Sequence, residues 1–115
     1  MSVEDYTFGR ITIDGRHYAK DVLILPSGGV HSPWWRRQGH RLEPEDLGEI
    51  LDDPPGDLVI GTGYYGNMAV PERTLQALRE RGVEPHVART SEAVAELARL
   101  QRQATRVAAA LHLTC

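Results

Sequence analysis

The stretch Leu58-Val59-Ile60-Gly61-Thr62-Gly63-Tyr64-Tyr65-Gly66 decides how the chain is read. Its three apolar residues read as a buried strand, and the glycines that follow read as the turn that leaves it. The spelling G-x-G-x-x-G is that of a phosphate loop, but such a loop opens directly onto a helix. Here the next helix signal, Pro71-Glu72, comes only after Asn67-Met68-Ala69-Val70. From Pro71 to Arg81 the spacing predicts a helix with Leu75 and Leu78 on its inner face, stopped by Gly82. Val83 to Ala88 then returns as a strand. Strand, helix and strand in that order imply a right-handed crossover with the two strands parallel. Loop 61–70 then lies at a carboxyl edge, where open α/β sheets bind ligands.

Towards the N-terminus, Ile11, Ile13 and the run Val22 to Leu25 flank Asp14-Gly15, a dipeptide that accepts the positive φ values of a tight hairpin turn. An opening β-hairpin is expected. Pro26-Ser27-Gly28-Gly29 breaks the pattern, and Val30 to Arg37 follows as an extended stretch. Pro33 within it cannot donate to a central ladder, so an edge strand or an ordered loop is expected. Pro44, Glu45 and Asp46 open a short helix with Leu47, Ile50 and Leu51 on one face, ended by Pro54-Pro55-Gly56. Leu58 to Ile60 is the central-strand candidate.

Towards the C-terminus, Thr90 or Ser91 caps a third helix on which Ala93, Leu97, Leu100 and Ala104 share a face. In the tail, Val107, Ala109, Leu111 and Leu113 alternate with Ala108, Ala110, His112 and Thr114, which reads as a closing strand. A continued helix is the rival reading, because alanine is the best helix former.

The chain has 115 residues, 41% hydrophobic and 25% charged, which suits one compact domain over 1–115. A formal net charge of -3 repels polyanions, so no nucleic-acid partner is expected. No apolar run approaches the ~20 residues that span a bilayer, and no secretory leader pattern opens the chain. A cytoplasmic protein without membrane contact is expected. Cys115 is the single cysteine, which leaves no internal disulfide and no multi-cysteine zinc site. No metal or cofactor is expected.

Loop 61–70 occupies about ten positions where such connections usually take ~2–6, and long loops in compact domains are often functional. Gly61, Thr62, Gly63, Tyr64 and Gly66 are therefore candidate ligand-binding residues, with Arg36 and His40 as cationic or general-base helpers. The plainer reading is that the glycines only permit tight turns or close backbone packing. A dinucleotide site would also want an acid at the end of the following strand, where this chain has Ala88-Arg89.

Trp34-Trp35-Arg36-Arg37 is the second unusual segment. Neighbours in an extended chain face opposite sides, so both indoles cannot share one core. Tryptophan and arginine are enriched at binding hot spots, which makes Trp34, Trp35 and Arg36 candidate partner-binding residues. Equally, one tryptophan could anchor the core and the other carry a stacked arginine. An exposed tryptophan also suits self-association into a homo-oligomer. His112 and Cys115 offer two ligands, too few for a closed metal site, and His112 reads as a hydrogen-bonded structural histidine. GxSxG, HExxH and GxxxxGK[ST] do not occur, so whether the chain is an enzyme stays open and no catalytic residue is assigned.

Taken in order, Phe8-Gly9-Arg10-Ile11, Asp14-Gly15, Asp21-Val22, Trp34-Trp35-Arg36, Gly39-His40, Pro44-Glu45-Asp46-Leu47, Leu58 to Gly63 and Val107 to Cys115 resemble the Mth-domain family, small proteins of largely unknown function. The resemblance covers nearly the whole chain, and the Gly61-Thr62-Gly63 turn and closing Ala109 to Cys115 are its most telling parts. It implies a three-layer α/β domain with a mixed central sheet, and no established catalytic residues. The family includes an adipogenesis-associated protein and a mitochondrial assembly factor for respiratory NADH dehydrogenase, which implies an assembly or partner-binding role. Glu43 stands where the family often has a better helix cap, and Tyr64-Tyr65 makes this turn bulkier than many. The expected function is a binding or assembly module whose surface combines loop 61–70 with Trp34, Trp35 and Arg36. The alternative is an enzyme or sensor for a small anionic metabolite, held at Gly61 to Gly66 with Arg36 or His40.

Overall fold

The final segment of the chain becomes the middle of the main sheet. In the computed structural model, which describes residues 2–103 and 106–115, β8 (Val107–His112) lies between β4 (Val22–Ile24) and β6 (Asp57–Thr62). The sheet is completed by β5 (Val30–His31) beyond β4 and β7 (Glu84–Ala88) beyond β6. β8 runs parallel to β6, with Val59 opposite Ala109, and antiparallel to β4, with Leu23 opposite Ala110. β6 and β7 are parallel and joined through α2 (Glu72–Glu80), as the crossover reading requires. The sheet is mixed and the domain is α/β.

Every residue of β8 is buried, which explains its alanines. A strand covered on both faces has no polar side, and small residues let the layers above and below approach closely. Alternation sorts its side chains. Val107, Ala109 and Leu111 join one apolar cluster, and Ala108 and Ala110 join the other. β4 and β6 divide in the same way, with Val22, Ile24 and Val59 on the first side and Leu23, Leu58 and Ile60 on the second. A helix in the tail would scramble this two-sided pattern. The central position belongs to β8, and Leu58 to Ile60 is its neighbour, because the partners on either side of β8 come from separate parts of the sequence.

The layer on the first face holds α3 (Thr90–Gln103), with Ala93, Leu97 and Leu100 inward, and a three-stranded antiparallel sheet of β1 (Val3–Thr7), β2 (Arg10–Ile13) and β3 (Arg16–Tyr18). The expected Ala104 contact lies outside the described residues. The second face is covered by the 3₁₀ turn Pro44–Leu47, α1 (Gly48–Asp52) and α2, which bring Leu47, Ile50 and Leu78 to the sheet. On α2, Thr74 is buried beside Leu78, and Leu75 is half-buried.

Asp14-Gly15 makes the expected turn with φ of 50° and 78°. The strand it leads into is Arg16–Tyr18, whereas Val22–Ile24 leaves for the main sheet. β5 is a two-residue edge strand, in keeping with Pro33 just beyond it. Among the described residues no helix is long and apolar enough to cross a membrane.

Candidate functional site

Parallel pairing brings Thr62 of β6 opposite His112 of β8, so the glycine turn and the C-terminal residues leave the same edge of the sheet. Thr90, at the start of α3, ties them together. Its hydroxyl accepts the Gly63 N–H at 2.9 Å and donates to the His112 carbonyl at 2.6 Å, while its own N–H donates to Gly63 O at 3.0 Å. Gly61 is needed for this contact, since a Cβ there would stand 2.8 Å from Thr90 Oγ1. Gly63 has φ of +110°, and a Cβ on it would collide with the backbone carbonyl of Cys115. Close packing thus accounts for both glycines. The turn's amides are also engaged within the chain. Tyr64 N–H donates to Thr114 O at 2.6 Å, Gly66 N–H to Gly63 O at 3.3 Å and Asn67 N–H to Cys115 O at 2.9 Å. An anion cradled by these amides would first have to displace those bonds.

Behind the turn lies an ion cluster assembled from three distant segments. Asp21 immediately precedes β4, Arg36 follows the edge strand and His112 ends β8. Asp21 Oδ2 accepts from Arg36 Nη2 at 2.8 Å and from His112 Nδ1 at 2.8 Å, while Oδ1 accepts the Leu113 N–H at 2.7 Å. Burial is the largest influence on this carboxyl and would raise its pKa. The bonds from His112 and Leu113, the charge of His112 and the bond from Arg36 together outweigh it and hold the value below the ordinary one. Asp21 is therefore an ionised acceptor, and His112 Nδ1 carries the hydrogen. Arg36 also donates Nε and Nη2 to Gly39 O, at 3.3 and 2.8 Å, and its guanidinium carbon stands 4.7 Å from the centroid of the Trp34 ring.

His40 is exposed, and its ring meets that of His112 edge-on at 5.8 Å between centroids. Its backbone is fixed to the far end of the glycine loop, because Ala69 N–H donates to His40 O at 2.8 Å and Leu42 N–H to Ala69 O at 2.9 Å. Trp34, Arg36, His40 and His112 therefore converge beside the glycine loop, which begins at Gly63 rather than at the expected Gly61 because Gly61 and Thr62 are paired within β6. Trp34 is buried and donates its indole N–H to Asp46 O at 3.0 Å. Trp35 points to solvent.

On the outer side of the turn, Tyr64 and Tyr65 are exposed and meet the exposed Phe8. Ring centroids are 5.0 Å apart for Tyr64–Tyr65, 5.8 Å for Phe8–Tyr64 and 6.0 Å for Phe8–Tyr65. Tyr6 supports Tyr64 from beneath, with its hydroxyl donating to Leu113 O at 2.9 Å. Burial is the main cause that pushes the Tyr6 pKa up. The hydrogen bond with Thr90 opposes it, and the charges of Tyr64 and Asp21 add to it.

A family model described as a protein of unknown function, DUF498/DUF598, matches residues 3–112. The chain belongs to this family. The crystal structure of the conserved hypothetical protein PH1505 from Pyrococcus horikoshii OT3 is similar at 30% identity and TM-score 0.84, with all of both chains covered. A solved structure named MT938 is 27% identical with TM-score 0.80, covering 99% of this chain and 98% of its own. A Bordetella pertussis protein described as a Mth938-like domain shares the fold at 21% identity and TM-score 0.76, covering 97% of this chain and 85% of its own. The likeness to the Mth-domain family is therefore real, and the DUF498/DUF598 fold extends across the chain.

Several residues central to this geometry, Asp21 and Phe8 among them, fall outside the sequence candidates. Asp21 stands in a family-like dipeptide, but nothing local announces that it pairs with a residue 91 positions away. Phe8 sits in a turn whose neighbours in space follow β6. Thr90 has the sequence signature of a helix cap, whereas its hydroxyl serves the glycine turn and β8 instead.

Proposed function

We propose that this DUF498/DUF598 chain is a cytoplasmic binding or assembly module that takes hold of a protein partner through the aromatic face formed by Phe8, Tyr64 and Tyr65. The observation that carries this reading is the exposure of three mutually packed rings on a turn pinned from behind by Thr90 and the C-terminal residues. Clustered exposed aromatics are a feature of interaction surfaces, because each ring buries a large area for few frozen rotors. A turn already fixed in place loses little further entropy on docking. Trp35 supplies a second exposed anchor. Trp34 and Arg36 serve as its rigid support, since the Trp34 residue and the Arg36 side chain are buried. The assembly role implied by the Mth-domain resemblance points the same way.

The test is a pull-down from the native host with the wild-type chain and a Phe8→Ser/Tyr64→Ser/Tyr65→Ser variant, with gel filtration of each. The reading expects a partner that the variant loses while its unfolding midpoint is kept. Equal recovery of every partner by both chains contradicts it. A change confined to the elution volume assigns the surface to self-association.

A further inference from the structure

Two buried nitrogens of the Asp21–Arg36–His112 cluster have no hydrogen-bond partner among the described residues, Nη1 of Arg36 and Nε2 of His112. They belong to touching side chains, with Arg36 Nη2 3.1 Å from His112 Nδ1, and those side chains are only 4% and 6% exposed. Leaving a buried polar group unpaired is unfavourable, and more so where the group is charged, so each of these two atoms calls for a partner. Asp21 already accepts from Arg36, His112 and the Leu113 N–H.

The chemistry of the two atoms selects what they would accept. Nη1 offers two N–H donors on a permanent cation. Nε2, with Nδ1–H committed to Asp21, offers a lone pair when the ring is neutral and a further N–H once the ring takes up a proton. Planar guanidinium donors are matched to the oxygens of carboxylate and phosphate groups. We propose that Arg36 and His112 form a recessed site for a small oxyanion, bound as a carboxylate or phosphate group through Nη1 and Nε2, with entry beside the exposed Gly39–His40 turn. The turn suits entry. A Cβ at Gly39 would meet nothing within 4 Å, and the His40 ring lies edge-on to His112 at the surface. This site is separate from the aromatic docking face, and either proposal can fail without the other.

The test titrates the full-length wild-type chain with sodium phosphate, sodium acetate and, as control, sodium chloride at matched ionic strength, following imidazole and guanidinium nitrogens by NMR. The proposal expects a saturable shift at His112 Nε2 and Arg36 Nη1 with phosphate, acetate or both, while His17, His31 and His86 stay still. Response to one salt alone assigns the group, phosphate or carboxylate. Arg36→Lys keeps the charge but loses the planar fork, and is expected to weaken that binding roughly tenfold. Absence of saturation, an equal response to chloride, uniform drift of all histidines or an unchanged affinity in a folded Arg36→Lys chain would overturn the proposal. The wild-type titration stands even if the variant does not fold.

Discussion

Trp34 and Trp35 are consecutive residues with opposite fates: Trp34 is 7% exposed with its indole N–H bonded to Asp46 O, and Trp35 is 80% exposed. Acrylamide should therefore quench only part of the tryptophan fluorescence of the native chain. In a Trp35→Phe variant the remaining emission should be shielded and blue-shifted. Trp35→Ala should change stability by no more than about 0.5 kcal/mol, whereas Trp34→Ala should cost about 3–5 kcal/mol in urea unfolding.

Thr90 bridges a donor and an acceptor that are both buried, Gly63 N–H and His112 C=O. Thr90→Val keeps the shape and leaves both groups without a partner, so a loss of about 2–4 kcal/mol is expected. Thr90→Ser keeps the hydroxyl and should cost about 1 kcal/mol for the missing methyl. Equal losses in thermal or urea unfolding would show that the hydroxyl contributes nothing.

Among the glycines with positive φ, Gly63 and Gly82 separate backbone strain from crowding. A Cβ on Gly82 meets nothing within 4 Å, so Gly82→Ala should cost only the left-handed backbone penalty of about 1–2 kcal/mol. Gly63→Ala adds a collision with the Cys115 backbone and should cost clearly more, about 3 kcal/mol or above. Chemical denaturation of the two variants side by side decides the matter.

Much of this fold is legible in the sequence because it is written in local periodicity. Leu58 to Ile60, the glycine turn and Leu75 with Leu78 announce a strand, a bend and a helix within one stretch of sequence, and the alternation from Val107 to Leu113 announces the last strand. What stays hidden is long-range. No local pattern says that β8 inserts between β4 and β6, or that Asp21 meets His112. β1 leaves no signal because Val3-Glu4-Asp5-Tyr6-Thr7 carries two acids, and its core-facing residues Val3 and Tyr6 stand three apart across a register shift rather than alternating. Arg36 stands out as unusual, but whether its guanidinium faces solvent or Asp21 depends on a partner that lies just before β4.

Asp21 makes the fold acid-sensitive in a defined direction. Its folded pKa lies below the unfolded value of 3.8, so its contribution is fully present above that value and is lost as pH falls through the lower, folded one. Asp21→Asn leaves buried Arg36 without its counter-charge and should cost about 3–5 kcal/mol at pH 7. The gap between wild type and variant should narrow as the pH is taken below the unfolded value. A gap that is constant with pH would contradict the lowered folded value of the Asp21 carboxyl.

The most direct test of the docking face is site-specific photo-crosslinking in the native host, with the photoreactive residue at position 65 and, as control, at position 102. The control lies at the far end of the 14-residue helix α3, about 20 Å along its axis from the end that holds the glycine turn. The account predicts one dominant adduct from position 65 that disappears with Phe8→Ser and is absent from position 102. Identical adduct patterns from the two positions, or an adduct at position 65 that persists without Phe8, would contradict it.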